Sequence, residues 1–258
     1  MEASTEESNK SQSPVPGDSD VYGAAQKEVH ACIGSEATAS TISELVFNLG
    51  EKAQRFADNR IATDPPATPI ACRVGCSFCC YIRVHLTPME LIFLVGSIQS
   101  NFSENEIIAL KNGLESIDPI TRGMTDEERG RAKIPCPLLV DNRCSAYEAR
   151  PLECRGYNST NVEACRQAFN NYDTWDVPIF SPQYLAFKNT QAALARATNN
   201  SVELLELTTA LRIALNDDAA IDRWLAGENT FQKAALPITD PEVIAFSPWT
   251  PTFDSSRP

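Results

Sequence analysis

The sequence has little of what most functional classes require. It has no long apolar run: Leu91–Val95 spans five residues and none is longer, far short of the roughly 18–20 that a membrane helix needs. It is poor in positive charge. Lys and Arg total 22 against 34 Asp and Glu, a formal net charge of −12 over 258 residues. Nucleic-acid binding through phosphates needs clustered Lys and Arg, and so does a basic membrane-surface protein; neither class fits. Eleven scattered glycines form no phosphate loop and no dinucleotide fingerprint. Histidine is almost missing, with only His30 and His85. A Cys–His nucleophilic enzyme would have His85 as its one plausible base, which counts against that class. The first ten residues are acidic and polar, without the apolar core of a secretory signal or the Arg-rich, acid-poor make-up of a transit peptide. The expected address is a reducing cytoplasm, where thiols stay unpaired.

Residues 1–38 read as a disordered acidic tail. Their first part carries Glu2, Glu6, Glu7, Asp18 and Asp20 against Lys10, and offers too little apolar surface to offset the entropy of ordering it. Residues 39–236 read as a single helical domain that contains a cysteine module at 72–165. Residues 237–258 read as a Pro-rich tail. Leu45, Leu49, Ala53, Phe56 and Ala57 recur at helical spacing, which predicts a helix over 40–62. Thr87, Pro88 and Glu90 form a capping-box start, and Ser103 with Glu106 forms another. Residues 118–133 are polar and read as a loop. Pro137–Val140 and Cys144–Tyr147 read as a short hairpin turning at Asp141 and Asn142. Helices are expected from Ser181 to about Ala197, over 201–215 and over 219–225. The fold class is therefore mostly α: a helical scaffold around a Cys-rich loop region, with one short β-hairpin.

What the sequence does have is cysteine. Eight of its nine cysteines fall between Cys72 and Cys165. One block holds Cys72, Cys76, Cys79 and Cys80; a second holds Cys136, Cys144 and Cys154; Cys165 follows. Clustered thiolates suit soft-metal coordination by zinc, copper(I) or iron–sulfur clusters. Cys76 and Cys79 have the two-residue gap of a metal knuckle, and Gly75 before them can take a positive φ. A helical reading also gathers the first block, since Cys72, Cys76, Cys79 and Cys80 share a stripe of roughly 100°. Adjacent Cys79 and Cys80 are poorly placed to chelate one ion together. Eight thiols exceed the four ligands of one zinc or one simple cluster. Two sites, one polynuclear site, or one site with spare thiols all satisfy the count. A thioredoxin-like role for Cys76 and Cys79 is weaker, because prolines precede the pair and two more thiols crowd it.

Several neighbours admit a plainer role. Cys32 stands alone and reads as a small buried hydrophobe. Arg143, Arg150 and Arg155 either offset thiolate charge or pair with Glu148 and Glu153 at the surface. Tyr147 and Trp224 read as packing residues, and His85 as a packed or surface histidine rather than a ligand.

The three blocks in this order resemble a bacterial cysteine-cluster family of zinc- or iron-chelating proteins of the CxxCxxCC type. The resemblance rests on Cys72 through Cys80, on Cys136-Pro-Leu-Leu, and on the run from Arg143 to Arg155. It implies a metal centre held by Cys72, Cys76, Cys79, Cys80, Cys136, Cys144 and Cys154, with Cys165 as an extra ligand. The cysteine block is also distantly similar to that of the flagellin lysine methylases, which look like iron–sulfur enzymes, although no separate methyl-donor motif is present here. The resemblance thus implies an iron centre, as an iron–sulfur cluster, ahead of zinc. The expected function is metal binding, with a methylase-like iron–sulfur enzyme and a thiol redox sensor as alternatives. The expected partner is a protein or a small molecule.

Overall fold

The computed structural model describes residues 18–33, 37–174, 176–196, 203–237 and 239. The stretch Leu91–Val95 is apolar on every side, and a helix of that kind has to be central. It lies in α3 (Pro88–Asn101), whose start is the expected box: Glu90 N–H donates to Thr87 Oγ1 at 3.2 Å and Thr87 N–H donates to Glu90 Oε2 at 2.8 Å. Two hydrophobic cores meet along this helix. Leu91, Leu94, Val95 and Ile98 face one, with Leu110 and Leu114 of α4 (Glu104–Thr121) and Leu207 and Leu211 of α9 (Leu207–Asn216). Met89 and Ile92 face the other. That core is built from α1 (Asp18–Ile33), α2 (Ala39–Thr63) and α8 (Ser181–Ala195), with Leu152 of α6 (Leu152–Gly156).

Three more helices, α5 (Asp126–Ala132), α7 (Val162–Asn170) and α10 (Ala220–Leu225), make ten among the described residues. The strands are short. β1 (His85–Leu86) pairs antiparallel with β4 (Leu205–Glu206), and β2 (Leu139–Val140) pairs with β3 (Arg143–Cys144). The mostly α architecture with one small hairpin in the cysteine region is what the sequence predicts. No described helix is long and apolar enough to cross a membrane.

Three expectations change. The tail was expected to reach residue 38, yet α1 occupies 18–33 and buries Ala25 and Val29 against the second core. Its sparse apolar positions suffice because α2 and α8 provide a ready-made groove. Residues 1–17 lie outside the described residues, as do 238 and 240–258 of the expected Pro-rich tail. Residues 118–133 are not one loop. Helix α4 runs through Pro119 to Thr121, and α5 follows. Helix α5 is polar all round but capped by Thr125 and Glu128 and braced by Arg131 on Glu127, local terms that composition hides. The helix expected over 201–215 begins at Leu207. Leu205 and Glu206 are drawn into pairing with Leu86 and His85, and the Glu206 carboxylate then caps α9 by accepting from Thr208 N and Thr209 N.

Candidate metal centre

The first cysteine block is a turn rather than a helix. Gly75 takes φ +86°, and Cys76 N–H donates to Arg73 O at 3.0 Å. A positive φ costs glycine nothing and strains other residues, so the sequence places the knuckle there. A single 3-10 turn, Phe78–Tyr81, then carries Cys79 and Cys80. The Phe78 and Tyr81 rings pack on Phe169 of α7, with centroids 5.8 and 4.8 Å away. This ties the turn to the helix that bears Cys165.

The second block is brought onto the first by the backbone. Cys136 N–H donates to Cys80 O at 2.7 Å. The hairpin then turns at Asp141 and Asn142, both left-handed at φ 48° and 59°, the pattern of a tight two-residue loop. Ser77 Oγ donates to Asn142 Oδ1 at 3.3 Å. Cys144 sits on β3, and Cys154 on α6. Glu90, buried in α3, accepts from Leu152 N at 2.7 Å and so fixes the start of α6. At the other end, a Cβ on Gly156 would lie 2.8 Å from Phe187 Cβ, so α6 and α8 approach as closely as glycine allows.

Six of the eight candidate cysteines line one cavity of about 240 Å³: Cys76, Cys79, Cys80, Cys136, Cys144 and Cys154. Val84, Leu138 and Leu207 form its buried apolar wall, and Arg73, Val74, Tyr147 and Arg150 its mouth. Cys72 and Cys165 do not line it. They share Ser159 instead, whose N–H donates to Cys72 Sγ at 3.2 Å and whose hydroxyl bonds the Cys165 thiol. Both are coupled electrostatically to Cys76 and Cys79 when those thiols ionise. Cys32 is remote, packed against the core of α1, α2 and α8.

Burial governs the thiols. It pushes Cys136 up to about 12, and pushes Cys154, beside the Glu153 charge, well above the usual thiol range. A hydrogen bond with Cys80 and then burial do the same to Cys79. Burial also raises Cys144, against the partial pull of the Arg150 charge. Without metal these groups are thiols at neutral pH, so metal binding has to expel protons. Among the described residues, no three His, Cys, Asp or Glu side chains already stand as a coordinating set. The arrangement is a cavity lined by thiols. Its sulfur donors fit zinc, iron and other soft or borderline metals.

Of the two sequence alternatives, thiolate compensation holds for Arg150, which acts on Cys79 and Cys144, and pairing with Glu148 or Glu153 holds for none of the three arginines among the described residues. Arg155 pairs with Glu51 at 2.9 Å. Arg150 lies over the Tyr147 ring at 3.5 Å and donates to Tyr147 O. Glu153 takes neither arginine. It lies between His85 Nδ1 and Lys188 Nζ, each at 3.3 Å, and accepts from His85 N at 2.6 Å. His85 Nε2 reaches Asp126 at 3.3 Å, and Asp126 holds Arg83 at 2.6 Å. Burial acts to lower the His85 pKa, but the Glu153 and Asp126 carboxylates outweigh it and hold it at about 10. His85 is thus a buried ion-pair partner behind Cys154. Sequence reasoning missed this network. Its one local signal was an acid beside Cys154, since Lys188 and Asp126 lie on distant elements.

No curated protein and no solved structure matches the chain. A family model does match, and it covers both cysteine blocks, α7 and Cys165. Residues 71–175 match the model of the CxxCxxCC family, described as a putative zinc- or iron-chelating domain.

Proposed function

We propose that the cavity cysteines hold an iron centre, as an iron–sulfur cluster, and that the helices serve as its scaffold. The observation that carries this reading is the match of donor number and space. Six thiols line about 240 Å³, whereas one ion needs four thiolates and a water molecule's share of volume is only about 30 Å³. A polynuclear centre uses both the extra sulfur and the extra room. The ligands would come from Cys76, Cys79, Cys80, Cys136, Cys144 and Cys154, with Cys72 and Cys165 in support. Such a centre would supply redox or Lewis-acid chemistry. The chain would shield it with Val84, Leu138 and Leu207 and offset thiolate charge with Arg150.

A free-thiol redox sensor is the weaker reading. Reactive thiols have depressed pKa values, and burial here raises Cys136, Cys144 and Cys154. The test is anaerobic purification followed by iron, zinc and acid-labile sulfide per chain. Iron with matching sulfide is the expected result. Zinc without sulfide would replace the cluster with a thiolate zinc site. Protein that holds and takes up neither metal would end the reading.

A further inference from the structure

The chain is acidic, and its arginines are mostly tied to carboxylates: Arg83 to Asp126, Arg122 to Asp118, Arg155 to Glu51. Arg73 and Arg143 are exceptions. Neither has a carboxylate partner among the described residues, both are exposed, and both line the cysteine cavity. They enter from different elements, Arg73 from the turn before Gly75 and Arg143 from β3. Thiolate compensation does not need them, because the guanidinium that acts on Cys79 and Cys144 is that of Arg150. Two exposed apolar side chains line the same cavity as these two arginines, Val74 at 69% and Tyr147 at 48%. Single exposed apolar residues are ordinary. A pair of them beside a pair of unpartnered guanidinium groups, at the opening of one cavity, is a recognition pattern.

We infer that the mouth of the cysteine cavity binds a small molecule bearing an oxyanion, with Arg73 and Arg143 gripping the anion and Val74 and Tyr147 covering its apolar body. Guanidinium groups match carboxylate and phosphate oxygens in pairs. The inference rests on the metal reading, because it places the ligand beside that centre.

The experiment uses the full-length metal-loaded protein, titrated calorimetrically at low ionic strength with inorganic phosphate and, separately, butyrate. Saturable binding of one or both is expected, and the better probe identifies the class of oxyanion. The double variant Arg73→Gln with Arg143→Gln should weaken it about tenfold or more, as loss of charged hydrogen bonds requires. Arg55→Gln, on the exposed side of α2, should not. Metal per chain is measured on every sample. Loaded wild-type protein that binds neither probe overturns the inference and leaves the metal reading intact. Equal weakening by Arg55→Gln also overturns it, since binding would then be diffuse charge attraction. Protein that takes up no metal overturns both.

Discussion

The N–H of Cys136 donates to the carbonyl of Cys80 across 2.7 Å. This one backbone bond joins two cysteine blocks that are far apart in sequence, and it lies at the wall of the cavity they share. The hairpin that carries Cys144 is therefore tied by backbone to the turn that carries Cys79.

Cavity position should rank the cysteines. Cys136→Ser and Cys154→Ser are expected to lose most bound metal and to lower the melting temperature, since binding energy in such sites is folding energy. Cys72→Ser and Cys165→Ser, outside the cavity, should retain most of it, and Cys32→Ser all of it. Metal analysis on the five variants decides; equal loss at Cys32 and Cys154 would sink the ranking.

Glu153 holds two cations behind Cys154. Glu153→Gln leaves His85 and Lys188 without their shared anion, at sites with side chains only 3% and 10% exposed. Breaking a buried pair from one side costs about 3–5 kcal/mol, which predicts a drop of roughly 10 °C in melting temperature for a domain of this size. A shift within error would show that water already screens the network.

Gly156 permits the contact of α6 with α8. Gly156→Ala places a methyl 2.8 Å from Phe187 Cβ, so one helix must move. Overpacking of this kind costs about 1–3 kcal/mol. Because Cys154 rides on α6, metal affinity should fall along with stability. Thermal melts paired with metal titration test this, and an unchanged affinity would separate α6 from the centre.

Asp118 supplies a pH signature away from the cysteines. It is fully buried between Arg122 and Arg212, and accepts from Thr209 Oγ1 at 2.5 Å. Burial acts to raise its pKa, but these donors outweigh burial and hold it below the ordinary carboxylate value. A depressed acid stabilises the fold above its unfolded pKa, near 3.9, and that contribution fades as pH falls through the folded value. Asp118→Asn should thus cost about 1–3 kcal/mol at neutral pH, with the gap from wild type closing below about pH 4. Melting curves from pH 2 to 7 give the answer; a gap that stays constant would refute the assignment.

Much of the architecture was legible because its signals are local. The capping boxes at Thr87 and Ser103, the apolar stripe of α2 and the turn at Asp141 and Asn142 each depend on residues a few positions apart. The misreadings had the opposite character. Helix α1 exists because α2 and α8 bury Val29, and α9 starts late because Glu206 answers His85 across two strands. Local propensity is a weak prior wherever a distant partner supplies the burial.

The same division holds for the site. By itself, the sequence determined the donor types: cysteines in two spaced blocks with Cys165 beyond them, and a glycine where the chain must turn. Tertiary structure decided which sulfurs share a cavity, that Cys72 and Cys165 stand outside it, and that Glu153 belongs to His85 and Lys188 rather than to an arginine. Donor identity is written residue by residue. Donor grouping depends on where loops close and helices cross, and those are set by packing between elements that the chain order keeps apart.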